Sequence, residues 1–324
     1  MLRRDEAIGK INEYAVKGIP FLFATDFEGL NSAVLTQPEM ETNGVLFRIG
    51  RSGNDQPGAD TVRPFSFIPK PVKYKTYSQA FEKVSWHLKR GDTYLINLTF
   101  ATELQTELSL RDIFNCSVAP CKLLFDDQFV VFSPEPFIRI KDGMIRSNPM
   151  KGTIDASIPD AETVLLNDRK EFFEHNTIVD LIRNDLSMIA SSVKVERFRY
   201  IEKIRTNRKD LLQMSSEISG ILPADYIHHL GNDIFTLLPA GSISGAPKER
   251  TVEIIREAEA DSRGFYTGIF GYFDGRDFSS AVMIRFIEKA DGVVRFRSGG
   301  GITALSDCKS EYLELIDKVY VPLV

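Results

Sequence analysis

The stretch F-Y-T-G-I-F-G-Y-F-D-G-R-D-F-S-S-A-V-M-I-R-F-I-E-K-A-D-G-V-V-R-F-R, Phe265 to Arg297, decides the fold class. Aromatic and β-branched residues fill three runs, Phe265 to Phe273, Phe278 to Ile287 and Val293 to Arg297, with turns at Gly275 and Gly292 between them. Connections that short join antiparallel strands only. The pattern repeats upstream in Lys122 to Leu124, Phe129 to Phe132 and Phe137 to Ile140, with Lys141-Asp142-Gly143 turning into Met144 to Ser147. Strands grouped in meanders with helices between the groups predict an α+β fold rather than a doubly wound parallel one.

Working outward, further strands are predicted at Pro20 to Phe27, Thr42 to Ile49, Gly91 to Phe100 and Leu211 to Leu222. Helices are predicted over the first eighteen residues and from Ser78, as cap, to Lys89 with Gly91 as stop. Two more run from Tyr226 to Leu237 and from Ala246 to Ala260, the latter with Pro247 in its first turn. Gly53 to Asp60 reads as an exposed loop and Arg205 to Lys209 as a solvated basic one. No internal repeat and no Pro, Gly or Ser-rich linker divides the chain, so residues 1–324 are expected to form a single domain.

Composition narrows the function. With 324 residues, 43% of them hydrophobic and 26% charged, the chain can bury a large core. A net charge of -5 opposes a nucleic-acid role, which needs a concentrated basic surface. No apolar run approaches the roughly twenty residues that span a bilayer, so no membrane role is expected. The N-terminal M-L-R-R-D-E-A-I-G-K lacks an apolar signal core. Cys116, Cys121 and Cys308 have no metal-ligand spacing and leave one over in any disulfide scheme, which implies the cytoplasm.

The chemistry gathers around Asn148 to Leu186. A lysine lies between a proline and a glycine (Pro149, Lys151, Gly152), and Glu171 and Glu174 follow on a segment where Phe172, Ile178, Val179 and Ile182 recur at helical spacing. The two carboxylates share one helix face, and their repulsion calls for a positive partner. Glu311 and Glu314 repeat the spacing near the C-terminus, with Lys318 one turn along. One such pair is an ordinary solvated face roughly nine times in ten, whereas two on separate helices could clamp Mg²⁺ through oxygen alone. Pro239 to Lys248 (P-A-G-S-I-S-G-A-P-K) places Ser242 and small residues before a helix N-terminus, which favours an anion. Gly299, Gly300 and Gly301 either converge their N–H groups on a carboxylate or form a plain turn. Arg285, amid apolar neighbours in A-V-M-I-R-F, calls for an anionic partner. His228 and His229 carry no partner motif and read as surface residues.

These motifs resemble the chorismate-utilising enzymes, the family of anthranilate synthase, isochorismate synthase and the synthase component of aminodeoxychorismate synthase. The matching stretches, in family order, are G-D-T-Y-L-I-N-L, F-S-P-E-P-F, P-M-K-G-T, E-H-N-T-I-V-D-L-I-R-N-D-L, P-A-G-S-I-S-G-A-P-K, R-G-F-Y-T-G-I-F-G-Y, G-G-G-I-T and S-E-Y-L-E-L-I-D-K. The resemblance implies one large α+β domain of two packed, mostly antiparallel sheets flanked by helices, with residues 1–75 a shortened N-terminal part. It implies that Glu171, Glu174, Glu311 and Glu314 surround Mg²⁺, with Lys318 close by, and that Mg²⁺ holds the ring carboxylate of chorismate and eases departure of its C4 hydroxyl. Arg285 and Tyr266 would hold the enolpyruvyl carboxylate, helped by the backbone of Gly299, Gly300 and Gly301, with Thr153 and Ser242 also at the substrate. Glu135 would be the general acid/base.

Within the family, P-M-K-G-T is similar to the P-I-K-G-T of aminodeoxychorismate synthases, whereas anthranilate synthases have alanine at the lysine. Lys151 is then implied as a nucleophile at C2 of chorismate, and must be neutral to act. No lysine stands at Tyr94-Leu95-Ile96, where isochorismate synthases keep a water-activating one. Thr153 is followed by Ile154-Asp155-Ala156 where the family usually reads x-P-R-G. The implied activity is aminodeoxychorismate synthase component I, in the p-aminobenzoate branch of folate synthesis. No glutaminase signature is present, so ammonia would come from a separate glutamine amidotransferase subunit. Anthranilate synthase component I, isochorismate synthase and a non-catalytic Mg²⁺-dependent chorismate binder are the alternatives.

Overall fold

The computed structural model describes residues 1–55, 66–205 and 210–320. Its strands form two nine-stranded sheets, and every strand pairing among the described residues is antiparallel. The first sheet runs Met150–Asp155, Asp210–Ile221, Met144–Ser147, Pro136–Lys141, Phe278–Val282, Ile269–Phe273, Phe21–Thr25 and Ser32–Leu35, with Ser191–Arg205 added beside Asp210–Ile221. The second centres on Leu95–Thr106, Val293–Ile302, Phe286–Ala290, Phe129–Ser133 and Cys121–Phe125. The expected α+β class and antiparallel meanders are what forms.

The sheets face each other across buried Leu22, Phe47, Leu123, Phe270, Ala281 and Phe286. Helices Arg4–Val16, Tyr74–Arg90 and Lys248–Ala258 cover a second cluster, where Ile11, Val84 and Ile254 join Phe21, Phe23, Ile96 and Leu98. Contiguous burial of this kind, at about 25 cal/mol per Å² of apolar surface, is the main stabilising contribution.

The decisive stretch departs from its reading at one point. Ile269–Phe273 pairs with Phe278–Val282 in the first sheet, while Phe286–Ala290 pairs with Val293–Ile302 in the second. The predicted strand Phe278 to Ile287 is therefore two strands in two sheets. Between them the Met283 N–H donates to Gly268 O at 2.8 Å, and Arg285 takes φ 53. Both halves are buried, so the run is apolar throughout, and no Gly or Pro marks the break. A left-handed backbone costs an arginine on the order of 1 kcal/mol, a strain typical of positions fixed by function.

Other boundaries move for local reasons. Thr36 caps a short helix Gln37–Thr42, so the strand predicted from Thr42 begins at Val45. The helix predicted from Ser78 starts at Tyr74, and its stop at Gly91 stands, with φ 80. The strand predicted from Gly91 spans Leu95–Thr106. Ala246 bonds to that strand, which leaves Pro247 as the cap of helix Lys248–Ala258. Tyr226 to Leu237 divides into a 3₁₀ turn, Tyr226–His228, and a helix, Leu230–Thr236. The three glycines form no turn: Gly299, Gly300 and Gly301 pair as strand with Thr99, Leu98 and Asn97. His228 and His229 are exposed as expected. Of the loop Gly53 to Asp60, Gly53 pairs in a short strand and positions 56–60 lie outside the described residues, as do 206–209 of the basic stretch.

Candidate active site

Lys151 owes its place to the glycine after it. Strand Met150–Asp155 slips register against Asp210–Ile221 between Lys151 and Thr153, and Gly152 sits there at φ +72, where a Cβ would lie 2.8 Å from Leu165 Cδ1 and 3.1 Å from Glu171 Oε2. Only glycine meets both demands. The bulge leaves Lys151 lining a cleft and Thr153 exposed opposite Gln213, outside that lining. Glu135, Ser242, Tyr266, Arg285, Gly299, Gly300, Gly301 and Lys318 line the same cleft. Asn97, Ile243, Arg297 and Ser298 join them; Asn97 lies in G-D-T-Y-L-I-N-L and Ile243 in P-A-G-S-I-S-G-A-P-K, but sequence assigns none of the four a role.

Electrostatics sort these groups. Burial pushes the Glu135 carboxyl above its ordinary pKa, against the pull of a hydrogen bond from Ser242 and the nearby charge of Lys151. A carboxyl that holds its proton more tightly than an exposed one is suited to give it up to a leaving group and take it back. Burial also lowers Arg285, to about 10, opposed by Tyr266. Its guanidinium lies 4.3 Å from the centre of the Tyr320 ring, and no carboxylate among the described residues pairs with it. The anionic partner expected of Arg285 is therefore not supplied by the described protein. Tyr266, 3% exposed, is raised by burial and stays protonated.

The four glutamates stand on two helices, Arg169–Ser187 and Cys308–Asp317, beside the glycine strand. A Cβ on Gly301 would lie 2.9 Å from Glu174 Oε2, and one on Gly300 would lie 3.6 Å from Glu311 Oε2 and 3.9 Å from Glu314 Oε1. Glycine there leaves the carboxylates their room. Lys170, which sequence reasoning misses although it directly precedes Glu171, reaches Glu311 at 2.7 Å and Glu174 at 3.7 Å. It is the positive partner that the like-charged face required. Burial works against its charge, but the Glu311 hydrogen bond and the glutamate charges outweigh that and raise its pKa. Lys318 bonds Glu314 at 2.8 Å and Gly299 O at 2.9 Å. Burial and the Glu174 charge raise Glu171 to about 7, and burial raises Glu174. For Glu314, Lys318 outweighs burial and the pKa falls below its ordinary value.

This donor set suits a hard divalent cation. It is all oxygen, and Glu174 Oε1 is buried with no hydrogen-bond partner among the described residues. Among the described residues no three such side chains converge as a ligand shell, and the Lys170 amine stands between Glu174 and Glu311 instead.

Residues 35–324 match the family described as chorismate binding enzyme. The chain belongs to that family. A Haemophilus influenzae relative, named an uncharacterized PabA-like protein, is 47% identical over 316 residues, 98% of this chain and 96% of that one. Anthranilate synthase component 1 of Archaeoglobus fulgidus is 35% identical over 271 residues, 80% of this chain and 64% of that one. Aminodeoxychorismate synthase component 1 of Bacillus subtilis is 31% identical over 265 residues, 77% of this chain and 55% of that one. The chain thus spans under two thirds of these two relatives. The crystal structure of anthranilate synthase component I from Streptococcus pneumoniae matches with a TM-score of 0.66 at 27% identity, over 79% of this chain and 59% of that one. As a member of its family this chain is a chorismate-utilising enzyme. No helix among its described residues is long and apolar enough to cross a membrane.

Proposed function

We propose that this chorismate binding enzyme is the synthase component of an aminodeoxychorismate synthase, converting chorismate and ammonia to 4-amino-4-deoxychorismate and water. The observation that carries the reading is Lys151: the lysine of P-M-K-G-T lines the cleft that also holds Glu135, Ser242, Tyr266 and Arg285. Arg285 and Tyr266 take a substrate carboxylate, which supplies the guanidinium with the counter-charge the described protein withholds. Lys151 Nζ forms a bond to C2, the ring double bond shifts, and the C4–O bond breaks. The hydroxyl leaves as water with a proton from Glu135. Ammonia then bonds to C4, the double bond shifts back, the C2–Nζ bond breaks to release the neutral lysine, and the ammonium formed at C4 returns one proton to Glu135. Glu171, Glu174, Glu311 and Glu314 would hold Mg²⁺, which supplies charge stabilisation for the ring carboxylate and the departing hydroxyl. Ammonia is delivered by a separate glutamine amidotransferase subunit.

The test is the product formed from chorismate, ammonium and Mg²⁺. Chromatography should show 4-amino-4-deoxychorismate, with a loss on the order of 10³-fold in Lys151→Ala, and mass spectrometry should place an adduct on the peptide that carries Lys151. Anthranilate as the wild-type product, or full formation of the 4-amino product by Lys151→Ala, overturns the assignment.

A further inference from the structure

Asn97 holds the one buried side-chain oxygen of the cleft lining that lacks a hydrogen-bond partner among the described residues. A buried polar atom left unpaired costs stability, so an orphan facing a cleft points to a ligand group that pairs with it.

The orphan is held in place from behind. Arg263 and Glu259 form an ion pair at 2.7 Å with side chains only 2% and 5% exposed. Arg263 donates to the carbonyl of Asn97 at 2.5 Å and to that of Ile243, the neighbour of Ser242, at 2.9 Å. Glu259 accepts from the N–H of Thr99 at 2.9 Å and from its hydroxyl at 3.0 Å. Strand Leu95–Thr106 is thereby anchored on both sides of Leu98. Across the sheet Asn97 faces Gly301, and a Cβ on Gly299 would lie 3.0 Å from Asn97 Oδ1. Glycine at 299 therefore leaves the carboxamide its room on the cleft side.

We infer that Asn97 is a substrate-contact residue that holds the ring hydroxyl of chorismate beside Lys151 and Glu135. Arg285 is matched to a carboxylate, Glu135 to a proton and Lys151 to an electrophilic carbon, while Ser242 bonds Glu135, Ser298 donates to Leu315 O, and Arg297 and Lys318 pair with Glu288 and Glu314. A carboxamide both donates and accepts without charge, as a hydroxyl or an amine does. A site built to pair a hydroxyl also rejects analogues that lack it. The inference rests on chorismate as the substrate and not on which product is released.

The experiment compares affinities for chorismate and for a chorismate analogue without the C4 hydroxyl, measured by titration calorimetry with wild type, Asn97→Ala and Asn97→Asp. Wild type should bind chorismate about tenfold more tightly than the deoxy analogue. Asn97→Ala should bind the two equally, whereas Asn97→Asp, which keeps the acceptor, should retain part of the difference. A merely structural role would weaken both ligands alike. Discrimination preserved in Asn97→Ala, or absent from the wild type, overturns the inference. Product identity is read separately, so the proposed reaction can fail without disturbing this result.

Discussion

Two ends of the candidate site, the Arg285 end of the cleft and the glutamate cluster beside its glycine strand, balance charge in opposite ways. At one end Arg285 has an aromatic ring beside it and no carboxylate among the described residues, and burial lowers its pKa to about 10. At the other, four glutamates come with lysines of their own: Lys170 pairs with Glu311 at 2.7 Å and Lys318 with Glu314 at 2.8 Å. A buried charge without a partner is expensive, and one with a partner is tolerable. On the proposed function, the arginine end is left for a ligand to neutralise, while the carboxylate end is already partly neutralised and a cation there would compete with its own lysines.

Changing the arginine end should have the larger effect. Arg285→Lys keeps the charge but loses the planar fork, and kcat/KM for chorismate should fall by about 2 kcal/mol, roughly thirtyfold. Steady-state kinetics with an unchanged kcat/KM would show that this end binds no carboxylate. At the other end, Glu314→Gln and Glu174→Gln should each weaken divalent-cation affinity about tenfold, read by titration with Mn²⁺ alone. Wild-type affinity in both variants would remove the metal from the comparison.

A smaller effect is expected from pH. Glu171 has its pKa raised from 4.5 to about 7, so the folded metal-free protein holds this proton more tightly than the unfolded chain. The stability it contributes is complete below about pH 4.5 and is lost as pH rises through about 7. Glu171→Gln should match wild type in Tm at pH 4 and exceed it by roughly 2 °C at pH 8 without metal. Scanning calorimetry that shows the same gap at both pH values would contradict this. The smallest change is expected of Thr153→Ala, at an exposed position outside the cleft lining. Its kcat/KM should stay within about 0.5 kcal/mol of wild type, and a tenfold loss would mean that the strand after Lys151 turns toward the substrate.

Much of this arrangement is legible in the amino-acid sequence. Helical periodicity puts Glu171 and Glu174 on one face, glycine turns place the hairpins, and the motif order points to the chorismate-utilising family. Strand Ser191–Arg205 is not legible, because charges alternate through R-F-R-Y-I-E-K-I-R at an edge and the segment buries no continuous face. Met150–Asp155 and Ala161–Asn167 likewise have no counterpart among the predicted strands and helices.

The sequence by itself determined the local outcomes, since periodicity, caps and glycine turns act between residues a few positions apart. It also carried the family motifs with Lys151, Glu135 and the two glutamate pairs. Tertiary structure alone decided that the apolar run at Met283 to Arg285 crosses from one sheet to the other. It alone joined Lys170 to Glu311, 141 residues away, and left the Arg285 guanidinium without a carboxylate and Asn97 Oδ1 without a hydrogen-bond partner among the described residues. Whether a polar group is paired depends on what folds against it from elsewhere in the chain, and no local pattern records that.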